Sequence, residues 1–206
     1  EHLMSALSGM HVDNAKVYID GPEIPIMDGS SFPFVELIEK AEKQEQNNKR
    51  KILKVLREIT VYKDDSYVRI IPSNQFSIDF EIEFNSILVN KQACQLQLLN
   101  GNYKSDISHA RTFGFEKDVQ ELRKNGFAIG GTLDNAVVVG EDKILNKEGL
   151  RFKDEFVRHK MLDCIGDLYL AGYPVEGYFY GRKSGHFLNN KLLKKLLSDK
   201  KNYKLI

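Results

Sequence analysis

Apolar residues recur every three or four positions in several stretches of the chain, and this spacing predicts amphipathic helices. The clearest stretch is 155–168, whose apolar face is formed by Phe156, Met161, Leu162, Ile165 and Leu168. The same spacing predicts helices over residues 1–10, 32–46 and 189–200. A further helix is expected to follow an extended start at Ala110 and to end at Gly126.

Other stretches alternate apolar and polar residues, a period typical of strands. They are residues 15–20, 51–73, 76–84, 135–145 and 175–181. Turns are expected at Lys63 to Ser66 and at Pro72 to Asn74. The mixed order of helices and strands indicates an α+β fold.

A polar, charged stretch at residues 43–51 is the best candidate for a linker and divides the chain near residue 47. Its charges are equally typical of a frayed helix end and a solvated loop. The first residue is Glu, and a helical pattern is already running there. We therefore expect the chain to be a piece of a longer protein.

Composition narrows the classes of partner. The 206 residues are 42% hydrophobic and 29% charged, which is ordinary for a globular protein. A net charge of +1 gives no overall attraction to nucleic acid or to an anionic membrane. Two distant cysteines form no disulfide framework, which favours the cytoplasm, and no apolar run is long enough to span a bilayer. No strong association stripe is visible, so a monomer is expected.

The predicted helix 155–168 carries the first candidate chemistry. His159 and Asp163 lie four residues apart on it and so share a face. Imidazole nitrogen and carboxylate oxygen are both ligands of Zn²⁺, although a surface pair or a simple hydrogen bond would also explain this spacing. A zinc site needs a third ligand, and His2 is of interest because Glu1 precedes it. A metal acidifies its water and a carboxylate accepts the proton, whereas the plain alternative for His2 is a frayed first turn.

Several motifs occur together and in order along nearly the whole chain. They are EHLMSAL, DNAKVYIDGPEIPIMDGSSFPF, ARTFGF, GGTLDNAVVV, GLRFKDEFVRHKMLDCIGDLYLAGYPVEG and KSGHFLNNKLL. Together they resemble the zinc-dependent UDP-3-O-acyl-N-acetylglucosamine deacetylases of lipid A biosynthesis. The resemblance is weakest over residues 85–106, and its most specific part is residues 149–168.

The resemblance implies a fold of two similar α+β domains, each a sheet with paired helices, with the helices packed between the sheets. Residues 1–46 would be the C-terminal part of an incomplete first domain. Residues 47–206 would form the second domain. An insert near residues 171–183 would shape a passage for the acyl chain.

The resemblance also implies catalytic roles. Three residues match the family's zinc ligands: His2, His159 and Asp163. Glu1 matches the general base, and Thr112 matches a hydroxyl that stabilises the oxyanion. His186 matches a protonated histidine that assists the oxyanion and the leaving amine, and Asp167 matches the carboxylate that orients it. Nitrogen and oxygen ligands also suit Fe²⁺, so both ions stay open.

The remaining matches concern the substrate. Lys160 matches a lysine near the nucleotide diphosphate, and Phe113 matches an aromatic at the substrate cleft. Val119 and Ala128 are expected to line the acyl passage. The implied reaction removes the N-acetyl group of UDP-3-O-acyl-N-acetylglucosamine. The first alternative is a truncated, non-catalytic remnant that binds UDP-sugar or lipid, or nothing. The second is a zinc peptidase, which is weaker because the motif H-E-x-x-H is missing.

Overall fold

The computed structural model describes residues 1–98, 101–119 and 130–206. In these ranges the helices are α1 (His2–Gly9), α2 (Phe32–Ala41), α3 (Asn102–Asp106), α4 (Glu155–Tyr169) and α5 (His186–Leu197), and residues 116–119 are also helical. The strands are β1 (Leu53–Val55), β2 (Ile59–Lys63), β3 (Ser66–Ile71), β4 (Ser77–Glu83), β5 (Lys91–Gln97), β6 (Phe113–Phe115), β7 (Val137–Val139), β8 (Val175–Glu176), β9 (Tyr178–Arg182) and β10 (Tyr203–Leu205).

The larger sheet has the strand order β2-β3-β9-β4-β5. Its β4 and β9 run parallel, with Phe80 opposite Gly181, and its other neighbours are antiparallel. A second sheet has the order β10-β1-β8, and β6 pairs in parallel with β7. The fold is therefore mixed α+β, as the sequence predicts.

One face of the larger sheet is covered by helices. Helix α4 packs on β4 and β5, and α5 packs on β2 and β3. Apolar side chains such as Ile78, Phe80 and Phe179 lie fully buried in this layer. Helix α1 then packs against α4. Helix α4 therefore contacts both the larger sheet and α1, and its Asp163 lies within 3.9 Å of His2 on α1.

Helix α4 is confirmed, and it extends one residue beyond the predicted end. The turn between β2 and β3 is also confirmed, with Asp64 in a left-handed conformation at φ 53°. Helix α2 is shorter than predicted and stops at Ala41, because Glu42 adopts φ 60° and cannot continue a right-handed helix. Among the described residues, every helix is too short or too polar to cross a bilayer.

The predicted strand at residues 15–20 is wrong. This segment runs without pairing, and Val17, Tyr18 and Ile19 are 51%, 89% and 50% exposed. A strand needs a neighbour to accept its backbone hydrogen bonds, and none of the described strands lies beside this segment. Conversely β5 and β10 were not predicted, since β5 is an edge strand with polar residues and β10 has only three residues.

Residues 171–183, the expected insert, supply strands to both sheets. Strand β9 lies between β3 and β4 at the centre of the larger sheet. Gly177 separates β8 from β9, and a Cβ there would lie 2.9 Å from Val55 and 3.2 Å from Ile70. The chain therefore crosses from one sheet to the other at a glycine. A passage for an acyl chain in this region stays a prediction.

Candidate functional site

Helices α1 and α4 bring together three side chains from opposite ends of the chain. The Nε2 atom of His159 lies 3.3 Å from Oδ1 of Asp163, and Nε2 of His2 lies 3.9 Å from the same oxygen. The two imidazole rings are 5.0 Å apart between centroids and meet edge to face. All three side chains are buried. This cluster is the only one in the described ranges that combines two imidazoles with a carboxylate within reach of one ion.

Each member of the cluster is prepared as a ligand. Nδ1 of His159 donates to the carbonyl oxygen of Ala110 at 3.0 Å, which fixes the ring and directs Nε2 towards the cluster. Burial and the neighbouring His159 lower the pKa of His2 to about 3, so this imidazole is neutral. Burial opposes ionisation of Asp163, but His159 and Lys160 outweigh it and hold the pKa of that carboxyl well below its usual range.

The arrangement fits a metal ion. Oδ1 of Asp163 is buried and has no hydrogen-bond partner, and an orphaned buried acceptor is costly unless a cation or water satisfies it. Two imidazole nitrogens and one carboxylate oxygen are a ligand set that zinc accepts while keeping a fourth position open. The structure thus brings together all three predicted ligands.

A second polar group lies beside this cluster. Nε2 of His186 is 3.8 Å from Oε1 of Glu1 and 3.9 Å from Oδ2 of Asp163. Its Nδ1 donates to Oδ2 of Asp167 at 2.8 Å. That hydrogen bond outweighs burial and raises the pKa of His186, which favours the charged imidazolium. Glu1 and His186 are both about half exposed, at 47% and 50%, so a substrate has access to them.

Asn189 is a member of this group that the sequence reasoning missed. Its side chain is buried, and its Nδ2 donates to Oδ2 of Asp167 at 2.8 Å. The signal was the spacing of three residues between His186 and Asn189, which places both on one face of α5. Asn189 and His186 therefore hold the same carboxylate oxygen from consecutive turns of the helix.

Lys160 lies at the edge of the cluster. Its Nζ donates to Oδ2 of Asp163 at 2.9 Å. Burial opposes the charge of Lys160, but Asp163 outweighs it and raises the pKa of the ammonium. Lys160 is thus a fixed positive charge next to the predicted metal ligand, and its contact with a diphosphate stays a prediction.

The segment that carries Thr112 is held firmly at its backbone. Thr112 donates its N–H to the carbonyl of Gly29 at 2.7 Å and accepts the N–H of Val137 at 2.8 Å. Ala110, two residues earlier, accepts the hydrogen bond of His159. The segment that contains Thr112 therefore also orients the predicted ligand His159. Its contact with an oxyanion stays a prediction.

The predicted cleft residues have mixed surroundings. Phe113 is partly buried and packs edge to face on Phe156, with ring centroids 4.8 Å apart, and on Phe84 at 5.7 Å. Phe113 therefore packs against the buried Phe156 of α4. Val119 is half-buried in the helical segment 116–119, whereas Ala128 lies outside the described residues.

A buried ionic network anchors the start of α4. Oε1 of Glu155 accepts hydrogen bonds from the backbone N–H of Arg111 at 3.0 Å and from its Nε at 2.9 Å. Oε2 of Glu155 accepts from the N–H of Arg151 at 2.6 Å. The exposed fractions of the two side chains are 2% for Arg111 and 0% for Glu155. This network joins the segment of Ala110 and Thr112 to α4, so it fixes the acceptor that orients His159.

A hydroxyl network anchors α1. Tyr103 is buried, and its hydroxyl donates to Oγ of Ser5 at 2.8 Å and lies 2.7 Å from Oγ of Ser31. Ser5 belongs to α1, and Ser31 immediately precedes α2. The ring of Tyr103 also fills the space above Gly9, where a Cβ would lie 2.1 Å from it. One tyrosine therefore holds α1 and the start of α2 together.

The family model of UDP-3-O-acyl N-acetylglycosamine deacetylase, known as LpxC, matches residues 1–198. The chain belongs to this family. The UDP-3-O-acyl-N-acetylglucosamine deacetylase of Psychrobacter cryohalolentis is 48% identical over 208 residues, covering 100% of this chain and 65% of that protein. The protein of the same name from Syntrophus aciditrophicus is 47% identical over 203 residues, covering 98% of this chain and 64% of that protein.

A third relative of that name, from Acidithiobacillus ferrooxidans, is 47% identical and covers 96% of this chain and 66% of its own length. The chain spans about 65% of the length of the curated relatives that it matches. The LpxC family is thus established for this chain, and the buried histidine–aspartate cluster lies within the matched residues.

Proposed function

We propose that the protein hydrolyses the N-acetyl group of UDP-3-O-acyl-N-acetylglucosamine, giving the free amine and acetate, in lipid A biosynthesis. The observation that carries this proposal is the buried cluster of His2, His159 and Asp163, in which Oδ1 of Asp163 has no hydrogen-bond partner. The substrate is taken from the activity for which the similar proteins are named.

His2, His159 and Asp163 would hold one Zn²⁺, although Fe²⁺ suits the same nitrogen and oxygen ligands. When bound, the ion supplies Lewis-acid polarisation of the acetamide carbonyl and lowers the pKa of a water molecule. Burial keeps the imidazole of His2 neutral, and His159 and Lys160 keep the carboxyl of Asp163 charged despite its burial. His2 and Asp163 therefore need little protonation change to accept the ion.

Glu1 would take the proton from the attacking water. Its carboxylate faces the same space as Asp163 and His186, since ligand atoms of all three lie within 4.8 Å of one another. Partial exposure gives water a path to this carboxylate. The hydroxyl of Thr112 would donate a hydrogen bond to the oxygen that becomes negative in the transition state.

His186 would donate a proton to the leaving amine. The hydrogen bond from its Nδ1 to Asp167 fixes the ring and stabilises the imidazolium. Its other nitrogen points towards Glu1 and Asp163, where the reacting carbon would lie. Glu1 as base and His186 as acid would then act on one bound acetamide, as general acid–base hydrolysis requires.

Other residues would bind the diphosphate and the acyl chain of the substrate. Lys160 would bind the diphosphate with the N–H bonds that Asp163 does not use. Phe113, Val119 and Ala128 would contact the acyl chain, together with residues near 171–183. The division into residues 1–46 and 47–206 as parts of two related domains is also part of the proposal.

We further propose a monomer that works in the cytoplasm. Cys94 and Cys164 are both free thiols, which fits a reducing compartment. Burial raises the pKa of the Cys164 thiol, so it has no role as a nucleophile.

The direct experiment incubates the chain with UDP-3-O-acyl-N-acetylglucosamine and quantifies acetate and free amine. We expect equimolar products, loss of activity after chelation, and recovery when Zn²⁺ is added back. His159→Ala serves as the control that lacks a ligand. A folded, zinc-loaded chain that binds the substrate but releases no acetate would contradict the deacetylase proposal and favour a binding role.

A further inference from the structure

Helix α4 contains a glycine in its interior, at a place where glycine weakens a helix. Gly166 lies one turn after Asp163 and just before Asp167. A residue without a Cβ loses more conformational freedom on folding, so alanine is the better residue for a helix interior. Some other requirement must therefore favour glycine at this position.

That requirement is the approach of α1. A Cβ on Gly166 would lie 2.3 Å from the carbonyl oxygen of Glu1, 3.1 Å from its carbonyl carbon and 3.1 Å from the backbone nitrogen of Ser5. These atoms are backbone, so no side-chain rotation relieves the contact. The same carbonyl of Glu1 accepts the N–H of Ser5 at 2.8 Å and so closes the first turn of α1.

The contact falls on the residues that complete the candidate site. Glu1 carries the proposed base, and His2, the next residue, carries a proposed ligand. The other two ligands, His159 and Asp163, lie on the same helix as Gly166. Nε2 of His2 lies 3.9 Å from Oδ1 of Asp163. This distance therefore depends on how closely α1 approaches α4 at Gly166.

We propose that Gly166 is a positioning residue that sets the spacing between the two halves of the metal site. This inference rests on the proposed function, because it assumes that His2, His159 and Asp163 bind one ion. An ordinary contact between a carbon and a carbonyl oxygen is about 3.3 Å. A methyl group on Gly166 therefore moves the start of α1 by about 1 Å, a displacement that matters at a reacting centre.

The test compares Gly166→Ala with Gly181→Ala. Gly181 is a matched control, because a Cβ there would lie 2.5 Å from the ring of Phe80. Gly181 itself belongs to the central strand β9, away from α1. Both changes insert one methyl group into a close contact. Co²⁺ is the probe, since its dissociation constant is measured by chelator competition and its visible absorption reports the coordination geometry.

We expect Gly166→Ala to weaken Co²⁺ binding about 10- to 100-fold and to change the visible spectrum. Gly181→Ala should lower the unfolding temperature and leave the affinity and spectrum unchanged. In a His2→Ala background, Gly166→Ala should have no further effect on Co²⁺ affinity, because its action passes through His2. A full additional loss in that background would contradict the positioning role.

Other outcomes separate the two proposals. If Gly166→Ala binds Co²⁺ like the parent protein while His159→Ala does not, Gly166 has no positioning role and the metal site stands. If His159→Ala also binds normally, the metal site itself is wrong. Failure of Gly166→Ala to fold would show that the glycine serves general packing, and would overturn the inference.

Discussion

The two halves of the candidate site are supported in different ways. Helix α4, which carries His159 and Asp163, is buried along nearly its whole length and is fixed at its start by the Arg111–Glu155 network. Helix α1, which carries His2, has eight residues and is held by the Tyr103 hydroxyl and by the close contact at Gly166. We therefore expect damage to α4 to lower the stability of the fold, whereas displacement of α1 should lower mainly the metal affinity and the turnover.

The largest effect on stability is expected at the α4 half. Arg111→Met leaves the carboxylate of Glu155 buried without its ionic partner, and breaking such a pair costs about 3–5 kcal/mol of unfolding free energy. Denaturant unfolding measures this loss. The matched control is Lys104→Met, whose pair with Glu39 is exposed and should contribute no more than about 1 kcal/mol. Equal losses in the two variants would show that the buried pair anchors α4 no more strongly than an exposed pair does.

The next largest effect is expected on turnover, with no loss of stability. His186→Ala should retain the metal and the fold but reduce turnover by about 10²- to 10⁴-fold, because the protonated donor to the amine is lost. Steady-state kinetics and metal analysis of the same sample check both parts. Near-normal turnover would exclude His186 as the acid.

A smaller loss is expected when α1 is loosened. Tyr103→Phe removes the hydroxyl that joins Ser5 and Ser31 and should cost about 1–3 kcal/mol of unfolding free energy. We expect the affinity for Co²⁺ to fall with it, since α1 carries His2. Tyr178→Phe is the control, because its hydroxyl accepts a hydrogen bond from Gln95 at an exposed site. If Tyr103→Phe left metal affinity unchanged, α1 would be held by other contacts.

The smallest expected effect is a shift in pH dependence. Asp167 raises the pKa of His186, so the acid form persists above the usual pKa of about 6.5 and activity falls at higher pH as the proton is lost. Asp167→Asn removes the negative charge and should move this alkaline limb of kcat/KM to lower pH. The contribution of the pair to stability has the same sign, since it is present at low pH and is lost as pH rises through the folded pKa. An unmoved limb would show that another group controls it.

Whether a feature could be predicted from the sequence depends on how far apart in the sequence its interacting residues lie. Helix α4 was predictable because its apolar spacing is local and long, and the shared face of His159 and Asp163 follows from four-residue spacing. The position of His2 came only from family resemblance, since no periodicity relates residue 2 to residue 163. The Arg111–Glu155 pair was not found, because neither residue carries a local signal of its partner.

The errors have physical reasons too. Residues 15–20 alternate like a strand, but alternation does not reveal whether a neighbouring strand is present. Residues 175–181 were predicted as one strand, but Gly177 marks the point where the chain passes from one sheet to the other. Gly166 was visible in the sequence only as a weak helix residue, and its role became visible when α1 was found against it.

We propose that α1 and α4 build one metal site from residues that are distant in the sequence. Zinc stoichiometry and affinity, measured by chelator competition for the parent chain, His2→Ala and His159→Ala, test it most directly. We expect one Zn²⁺ per chain and a loss of affinity of at least about 100-fold in each variant, since each removes one of three ligands. Parent-like affinity in His2→Ala, with loss only in His159→Ala, would contradict it and confine the metal to α4.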